Sequence, residues 1–215
     1  MVNDMNSFEK ALTGFLGNEN LARIQNVKVG IAGAGGLGSN CAMFLVRCGF
    51  KKFRIVDSDT VELSNLNRQF YFAAQVGQRK VEALRDNLLM INPGLEIEIL
   101  TDRIEQDNVK DLFAYCDVVV EALDGAADKR MVVEAYMHSD KLVVAASGLA
   151  GWGRSDDITV HRIKNNFYLV GDMASETAPD RPPMAPRVNV AAAKQADVIL
   201  SYFLDNPTGG DHGGT

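Results

Sequence analysis

The sequence predicts an α/β fold, a doubly wound, mainly parallel Rossmann-like sheet with helices on both faces and a C-terminal hairpin and helix. Three observations predict it. Short apolar, β-branched runs alternate with amphipathic stretches from residue 27 to residue 146, the pattern of successive βα units. The first run, Val27 to Ala32, leads directly into Gly33-Ala34-Gly35-Gly36-Leu37-Gly38 and then into a helical pattern. The second run ends at an acidic residue, Asp57, 19 positions after Gly38.

The elements follow in order. Residues 6–24 read as one or two short amphipathic helices, with Phe8, Leu12, Phe15, Leu16, Leu21 and Ile24 as the apolar stripe and Gly14 and Gly17 as interruptions. Val27 to Ala32 is a strand, and Leu37 to Cys48 is a helix closed by Gly49. Phe53 to Val56 is the next strand. Residues 58–76 are polar with scattered aromatics and read as loop with short helical turns. Gly77 to Ile91 is a helix stopped by Asn92-Pro93-Gly94.

Leu95 to Leu100 is a strand, Asn108 to Tyr115 a short helix, Val118 to Ala122 a strand, Lys129 to His138 a helix and Leu142 to Ala146 a strand. Ile158 to Ile163 and Phe167 to Val170 form a hairpin around Asn165-Asn166. Residues 172–187 carry Pro179, Pro182, Pro183 and Pro186 and read as a long mobile or ligand-gated loop. Val188 to Leu204 is the last helix, and 206–215 is a Gly-rich, flexible tail. Residues 1–205 thus read as one domain, with its nucleotide-binding core at 27–150.

Composition narrows the function classes. The 215 residues are 47% hydrophobic and 23% charged, with a net charge of −6. That is globular, large enough to bury a core without disulfides, and too acidic for broad nucleic-acid binding. Cys41, Cys48 and Cys116 form no C-x-x-C pair, so no zinc is expected and buried thiols are. The N-terminus has no signal-peptide pattern, and no apolar run reaches the roughly 20 residues of a membrane span. The expectation is a cytoplasmic protein. His138, His161 and His212 show no ligand spacing, and Trp152 reads as a packing residue, with a binding platform as the alternative.

The glycine loop carries the first chemistry. Gly33-x-Gly35-x-x-Gly38 lies between a strand and a helix, the context that a dinucleotide fingerprint requires. Gly33 permits the tight turn, Gly35 the approach of a phosphate, and Gly38 close helix–strand packing, while the helix N-terminus offers free N–H groups. Asp57 is placed to accept from ribose hydroxyls. NAD, FAD and ATP sites share this geometry. The next segment, Asp57-Ser58-Asp59-Thr60-Val61-Glu62-Leu63-Ser64-Asn65-Leu66-Asn67-Arg68-Gln69-Phe70, shifts the weight to ATP. A triphosphate needs cations beyond the helix dipole, and Arg68 and Lys80 supply them beside Asn65. Asp124 follows the strand 118–122, where it either holds Mg²⁺ or turns the chain before Gly125.

These runs, Gly-x-Gly-Gly-Leu-Gly, Val-Asp-x-Asp-x-Val-x-x-Ser-Asn-Leu-x-Arg-Gln, Gly-x-x-Lys-Val and Leu-Asp-Gly, resemble the ThiF/MoeB/ubiquitin-activating superfamily over residues 26–150. The chain looks most like the short ThiF forms of thiamine thiazole biosynthesis. The resemblance implies an enzyme that uses ATP and Mg²⁺ to adenylate the Gly-Gly C-terminus of a ubiquitin-like sulfur-carrier protein, acting as a homodimer. It implies Asp57 on the ribose, Asn65, Arg68 and Lys80 on the phosphates beside the loop glycines including Gly36, and Asp124 on Mg²⁺. Asp59 and Gln69 match the motif as supporting residues.

Three departures qualify the resemblance. The chain lacks the zinc-binding C-x-x-C pairs of longer members. Only Arg23 precedes the glycine loop, outside the Arg-x-x-Arg segment that many members use across a dimer. Residues 172–190 contain no cysteine for a covalent carrier link. Arg181 and Arg187 read as solvated loop charges, with a carrier-tail clamp as the alternative. Two other functions stay open: a nicotinamide-dependent oxidoreductase and a non-catalytic ATP-binding partner protein.

Overall fold

The computed structural model describes residues 5–205; the expected flexible tail, 206–215, lies outside the described residues. The elements are α1 (Ser7–Asn26), β1 (Lys28–Ala32), α2 (Gly36–Cys48), β2 (Lys52–Val56), α3 (Lys80–Leu89), β3 (Glu96–Leu100), α4 (Val109–Leu112), β4 (Val118–Glu121), α5 (Ala126–Tyr136), β5 (Leu142–Ala146), β6 (Thr159–Lys164), β7 (Phe167–Gly171) and α6 (Ala185–Asp205). Short 3₁₀ turns lie at Leu63–Asn67, Ala73–Gln75 and Ser155–Asp157.

The strands form one sheet in the order β3-β2-β1-β4-β5-β7-β6. All neighbours are parallel except β6, which pairs antiparallel with β7 as the predicted hairpin. The strand order reverses direction between β1 and β4. In an open α/β sheet that switch point, at the strand C-termini, is where a ligand crevice opens.

Period-two alternation sends each central strand into two cores. Val29, Ile31, Val118, Val120, Leu142 and Val144 face the layer of α1, α2, α3 and α6. Val119, Val143 and Ala145 face Val109 and Phe113 around α4 and Val132 and Tyr136 of α5. Both faces are covered, so apart from Lys28 at the start of β1 and Glu121 at the end of β4 these strands are apolar rather than alternating with polar residues. Gly30 is small for a packing reason: a β-carbon there would come within 2.6 Å of the Phe113 ring.

Several expectations are corrected. Gly17, at φ 73°, kinks α1, whereas Gly14 passes through it without interruption. The helix expected at 77–91 begins only at Lys80, because Gly77 sits at φ +90° in a turn and Arg79 is extended. The helix expected at 108–115 is a single turn. Helix α6 starts three residues earlier than expected and accommodates Pro186 in its first turn, where a missing N–H costs nothing. Trp152 is not packed; it is 64% exposed on a loop in which Gly148, Gly151 and Gly153 all have positive φ.

Arg187 is the largest correction. It is not solvated but 3% exposed. It donates to the carbonyls of Gly153 (3.0 Å) and Arg154 (2.8 Å) and pairs with the Asp172 carboxylate. Asp172 in turn accepts from the amides of Ala174 and Ser175. The segment 172–184 is laced down as well by Gly151 N–H to Pro182 O (3.1 Å) and Ala150 N–H to Ser175 Oγ (3.1 Å). In this conformation the long loop is hydrogen-bonded to the segment after β5 and, through Asp172 and Arg187, to the start of α6.

Burial alone would raise the Asp172 carboxyl, but the Ser175 and Ala174 amides and Arg187 outweigh it and hold the group below its ordinary range. A depressed carboxyl contributes stability that is full above the unfolded-state value and lost as pH falls through the folded one. Arg187→Met should cost about 2 kcal/mol at neutral pH through the lost charged hydrogen bonds. The deficit should shrink in acid as Asp172 protonates. Urea denaturation at pH 7 and below pH 4 measures both.

Candidate active site

A cavity of about 400 Å³ opens at the C-terminal ends of β1, β2, β3 and β4. It is lined by Gly33 and Gly35 after β1, by Asp57, Ser58 and Asp59 after β2 together with Lys80, by Asp102, Arg103 and Ile104 after β3, and by Leu123, Asp124, Gly125 and Asp128 after β4.

The glycine loop is shaped for close approach. Gly33 takes φ +98°, and a β-carbon on it would meet the Ala122 carbonyl oxygen at 2.8 Å. A β-carbon at Gly38 would overlap the Gly33 carbonyl oxygen. At Gly35 the nearest atom would be Gln69 Nε2 at 4.0 Å, so this glycine faces open space. Gly35 is the N-cap of α2 and supplies no side-chain acceptor for the first turn. The donors at this helix start are left to an anion, and the room above Gly35 is sufficient for one.

Asp57 is fixed by two amides, Ala34 N–H to Oδ2 (2.6 Å) and Asp59 N–H to Oδ1 (2.8 Å). Burial raises its pKa, opposed by the Asp59 amide, the Lys80 charge and the Ala34 amide. Each carboxylate oxygen retains a lone pair for a further donor. Lys80 is buried at the start of α3, with Nζ 2.8 Å from the Oδ2 of exposed Asp59. Asp124 is exposed on the β4–α5 loop at the cavity's rim. Among the described residues, no three His, Cys, Asp or Glu side chains cluster closely enough to hold a metal by themselves. Asp124 presents a single carboxylate at the rim, the kind of sparse protein ligation that an ion keeping several of its waters would need.

The remaining motif residues lie beside the cavity rather than on its wall. Arg68 is half-buried; its Cγ would be 3.5 Å from a β-carbon on Gly36, and its guanidinium donates to Asn67 Oδ1. Gln69 is buried, and its Oε1 has no hydrogen-bond partner among the described residues. Asn65 is buried, with Oδ1 capping the 3₁₀ turn through Glu62 N–H (3.0 Å).

Several residues that shape the cavity carry no local signal in the sequence. Ser39 Oγ accepts from Phe70 N–H, Asn40 Nδ2 donates to the carbonyls of Gly36 and Arg68, and Tyr71 OH donates to the carbonyls of Ala34 and Lys80. These three tie the Arg68–Tyr71 segment to the glycine loop and the start of α2. Asp102, Arg103 and Ile104 complete the cavity wall. Their position at a strand C-terminus was the available signal.

The ThiF family model matches residues 9–204. The chain belongs to the ThiF family. This ThiF-family chain is 34% identical over 144 residues to an adenylyltransferase and sulfurtransferase UBA4 of Candida glabrata, covering 66% of the chain and 33% of that protein. It is 34% identical over 133 residues to a probable adenylyltransferase/sulfurtransferase MoeZ of Mycobacterium tuberculosis, covering 61% and 34%. The chain spans about a third of the length of these curated relatives. Among solved structures, the Escherichia coli tRNA N6-threonylcarbamoyladenosine dehydratase TcdA in complex with AMP matches with a TM-score of 0.83 at 18% identity, covering 92% of this chain and 94% of that one. That likeness shows the shared fold. No helix among the described residues is long and apolar enough to cross a membrane.

Proposed function

We propose that this ThiF-family chain is an adenylyltransferase that uses ATP and Mg²⁺ to activate the C-terminal glycine carboxylate of a ubiquitin-like sulfur carrier. The observation that carries the reading is the meeting of Asp57, Lys80 and Asp124 around Gly33 and Gly35 in one cavity at the switch point of the sheet. The adenylyltransferase names of the curated relatives and the AMP complex of the structural neighbour support it. The finer reading is a ThiS-like carrier for thiamine thiazole synthesis in the cytoplasm, supported by the likeness to short ThiF forms.

The chemistry follows from the placement of charge. A carrier carboxylate oxygen attacks the α-phosphorus of ATP, the bond to the bridging oxygen of pyrophosphate breaks, and a carrier acyl-adenylate forms. The attacking carboxylate is ionised at neutral pH, so no general base is required. Asp57 would hold the ribose, and the start of α2 with Lys80 would receive the phosphates. Arg68 would reach across Gly36. Mg²⁺, held by Asp124, would neutralise charge on the phosphate oxygens. The wall at 102–104 is left for the base. Because Asp57, Asp59, Asp102, Asp124 and Asp128 outnumber Lys80 and Arg103 around the cavity, a triphosphate there gains from any further cation. A second copy of the chain, in a homodimer, is the proposed source.

The test is ATP–pyrophosphate exchange in the presence of a ThiS-like carrier ending in Gly-Gly. Exchange should depend on the carrier, and Arg68→Ala should lower it by at least about tenfold, the loss of one charge-stabilising group. A smaller loss removes Arg68 from the phosphate role. The glycine fingerprint with Asp57 also fits a nicotinamide site, so calorimetry with ATP and NAD is the companion measurement. Tight NAD binding with no ATP binding would overturn the proposal. Binding of ATP without exchange, whatever carrier is offered, would leave a non-catalytic nucleotide-binding protein.

A further inference from the structure

We infer that Glu121 and Lys129 form a positioning pair that sets Asp124, an inference that rests on the Mg²⁺–ATP reading of the cavity. Glu121 ends β4 and is 1% exposed. Its two carboxylate oxygens each take Lys129 Nζ at 3.0 Å, and Oε1 also accepts from the Leu123 N–H at 2.7 Å. The same Nζ donates to the Leu123 carbonyl at 2.7 Å. The pair therefore grips both backbone polar groups of the residue immediately before Asp124.

The neighbouring elements pack closely around the loop. On the side of the glycine loop the approach is close: a β-carbon on Gly33 would meet the Ala122 carbonyl oxygen at 2.8 Å and Leu123 Cδ2 at 3.1 Å. From α6, Gln195 Nε2 lies 3.4 Å from the carbonyls of both Glu121 and Val144. This braces the strand end that carries Glu121. Asp124 makes no side-chain hydrogen bond among the described residues. Its placement at the rim is set by its backbone alone, and that backbone is held by Glu121 and Lys129. A buried ion pair is a costly way to fill space, and apolar side chains of the same volume would pack as well. They would not hold the Leu123 N–H and carbonyl. Positioning of a metal-facing carboxylate accounts for the choice.

The test is calorimetry of ATP with and without Mg²⁺ on four proteins: wild type, the neutral near-isosteric E121Q/K129M, D124N, and the triple variant. E121Q/K129M should weaken binding of Mg²⁺–ATP by about tenfold, as for other residues that orient a metal ligand. Affinity for ATP in EDTA should stay within about twofold. In the D124N background the same pair of changes should have no further effect on Mg²⁺–ATP, because a positioning residue has nothing left to position. K129R, which keeps a charged donor for Glu121 and the Leu123 carbonyl, should recover most of the affinity. The single E121Q variant is read in the same way, so that misfolding of the double variant does not decide the matter. Unchanged Mg²⁺–ATP affinity in a folded variant, or an equal loss with and without Asp124, would overturn the assignment. If wild type itself binds no Mg²⁺–ATP, the reading of the cavity fails as a whole.

Discussion

Lys80→Met is expected to lower carrier-dependent ATP–pyrophosphate exchange by about 100-fold, the cost of removing one preorganised donor from developing phosphate charge. Three features make the effect large. Lys80 is buried, so its charge acts through a medium that screens less than water. Its backbone is fixed, because Lys80 N–H donates to the Asp59 carbonyl at 3.0 Å and its own carbonyl accepts from Tyr71 OH. Its Nζ is already aimed, because Asp59 holds it at 2.8 Å. On the proposed reading, the lysine needs little reorganisation to meet a phosphate.

The change should spare the fold. Asp59 is the ion-pair partner, and its side chain is 65% exposed, so it returns to water when the ammonium is removed. Methionine fills the same volume over the α3 start. Calorimetry should show weakened ATP binding while urea denaturation shows stability within about 1 kcal/mol of wild type. A loss of exchange below tenfold, with the protein folded, would remove Lys80 from the phosphate site and leave the glycine loop as evidence of a nucleotide only.

How much of this was legible beforehand depended on whether the signal was local. The β1–glycine loop–α2 unit was readable because its requirements are local: an apolar strand, glycines where a β-carbon would strike Ala122 or Gly33, and a helix closed by Gly49 at φ 110°. The β6–β7 hairpin was readable from Asn165-Asn166 between two apolar runs. Asp57, Lys80 and Asp124 were readable because strand ends and motif spacing put them at one crevice. What failed was non-local. Arg187 looks like a loop charge until the carbonyls of Gly153 and Arg154 and the Asp172 carboxylate close around it from two other connections. Lys129 looks like a solvated helix lysine until β4 brings Glu121 beneath it. Tyr71 was one of several aromatics in a polar stretch, and only the fold sets its hydroxyl between Ala34 and Lys80. The same residues show why Asn65 and Arg68 differ from Lys80. The motif groups them, but the 3₁₀ turn spends the Asn65 side-chain Oδ1 on its own cap and sends Arg68 along Gly36, beside the cavity rather than into its wall.

The glycines of the loop offer the second large effect, and they separate stability from binding within three residues of chain. Gly38→Ala should destabilise the protein by about 3 kcal/mol, at the upper end of overpacking costs. In an exposed helix the same change would help, since alanine is a better helix former than glycine by about 1 kcal/mol. Here the new methyl overlaps the Gly33 carbonyl oxygen and stands 3.0 Å from both the Gly33 carbonyl carbon and Ile31 Cγ2. All three belong to β1 or the turn that leaves it, and none is the flexible end of a side chain able to swing aside on its own. Helix α2 must then lift from β1, and its packing on α6 through Ala191 and Ala192 is disturbed with it. Gly35→Ala should behave oppositely. Its β-carbon would meet nothing closer than 4.0 Å, so stability should stay near wild type. The methyl would stand in the space proposed for a phosphate, and on that reading ATP affinity should fall by at least about tenfold. Urea denaturation and ATP calorimetry on the two variants read the contrast directly. A Gly38→Ala protein as stable as wild type would mean that α2 is free to move off β1. A Gly35→Ala protein with unchanged ATP affinity would place the phosphates elsewhere than above the start of α2.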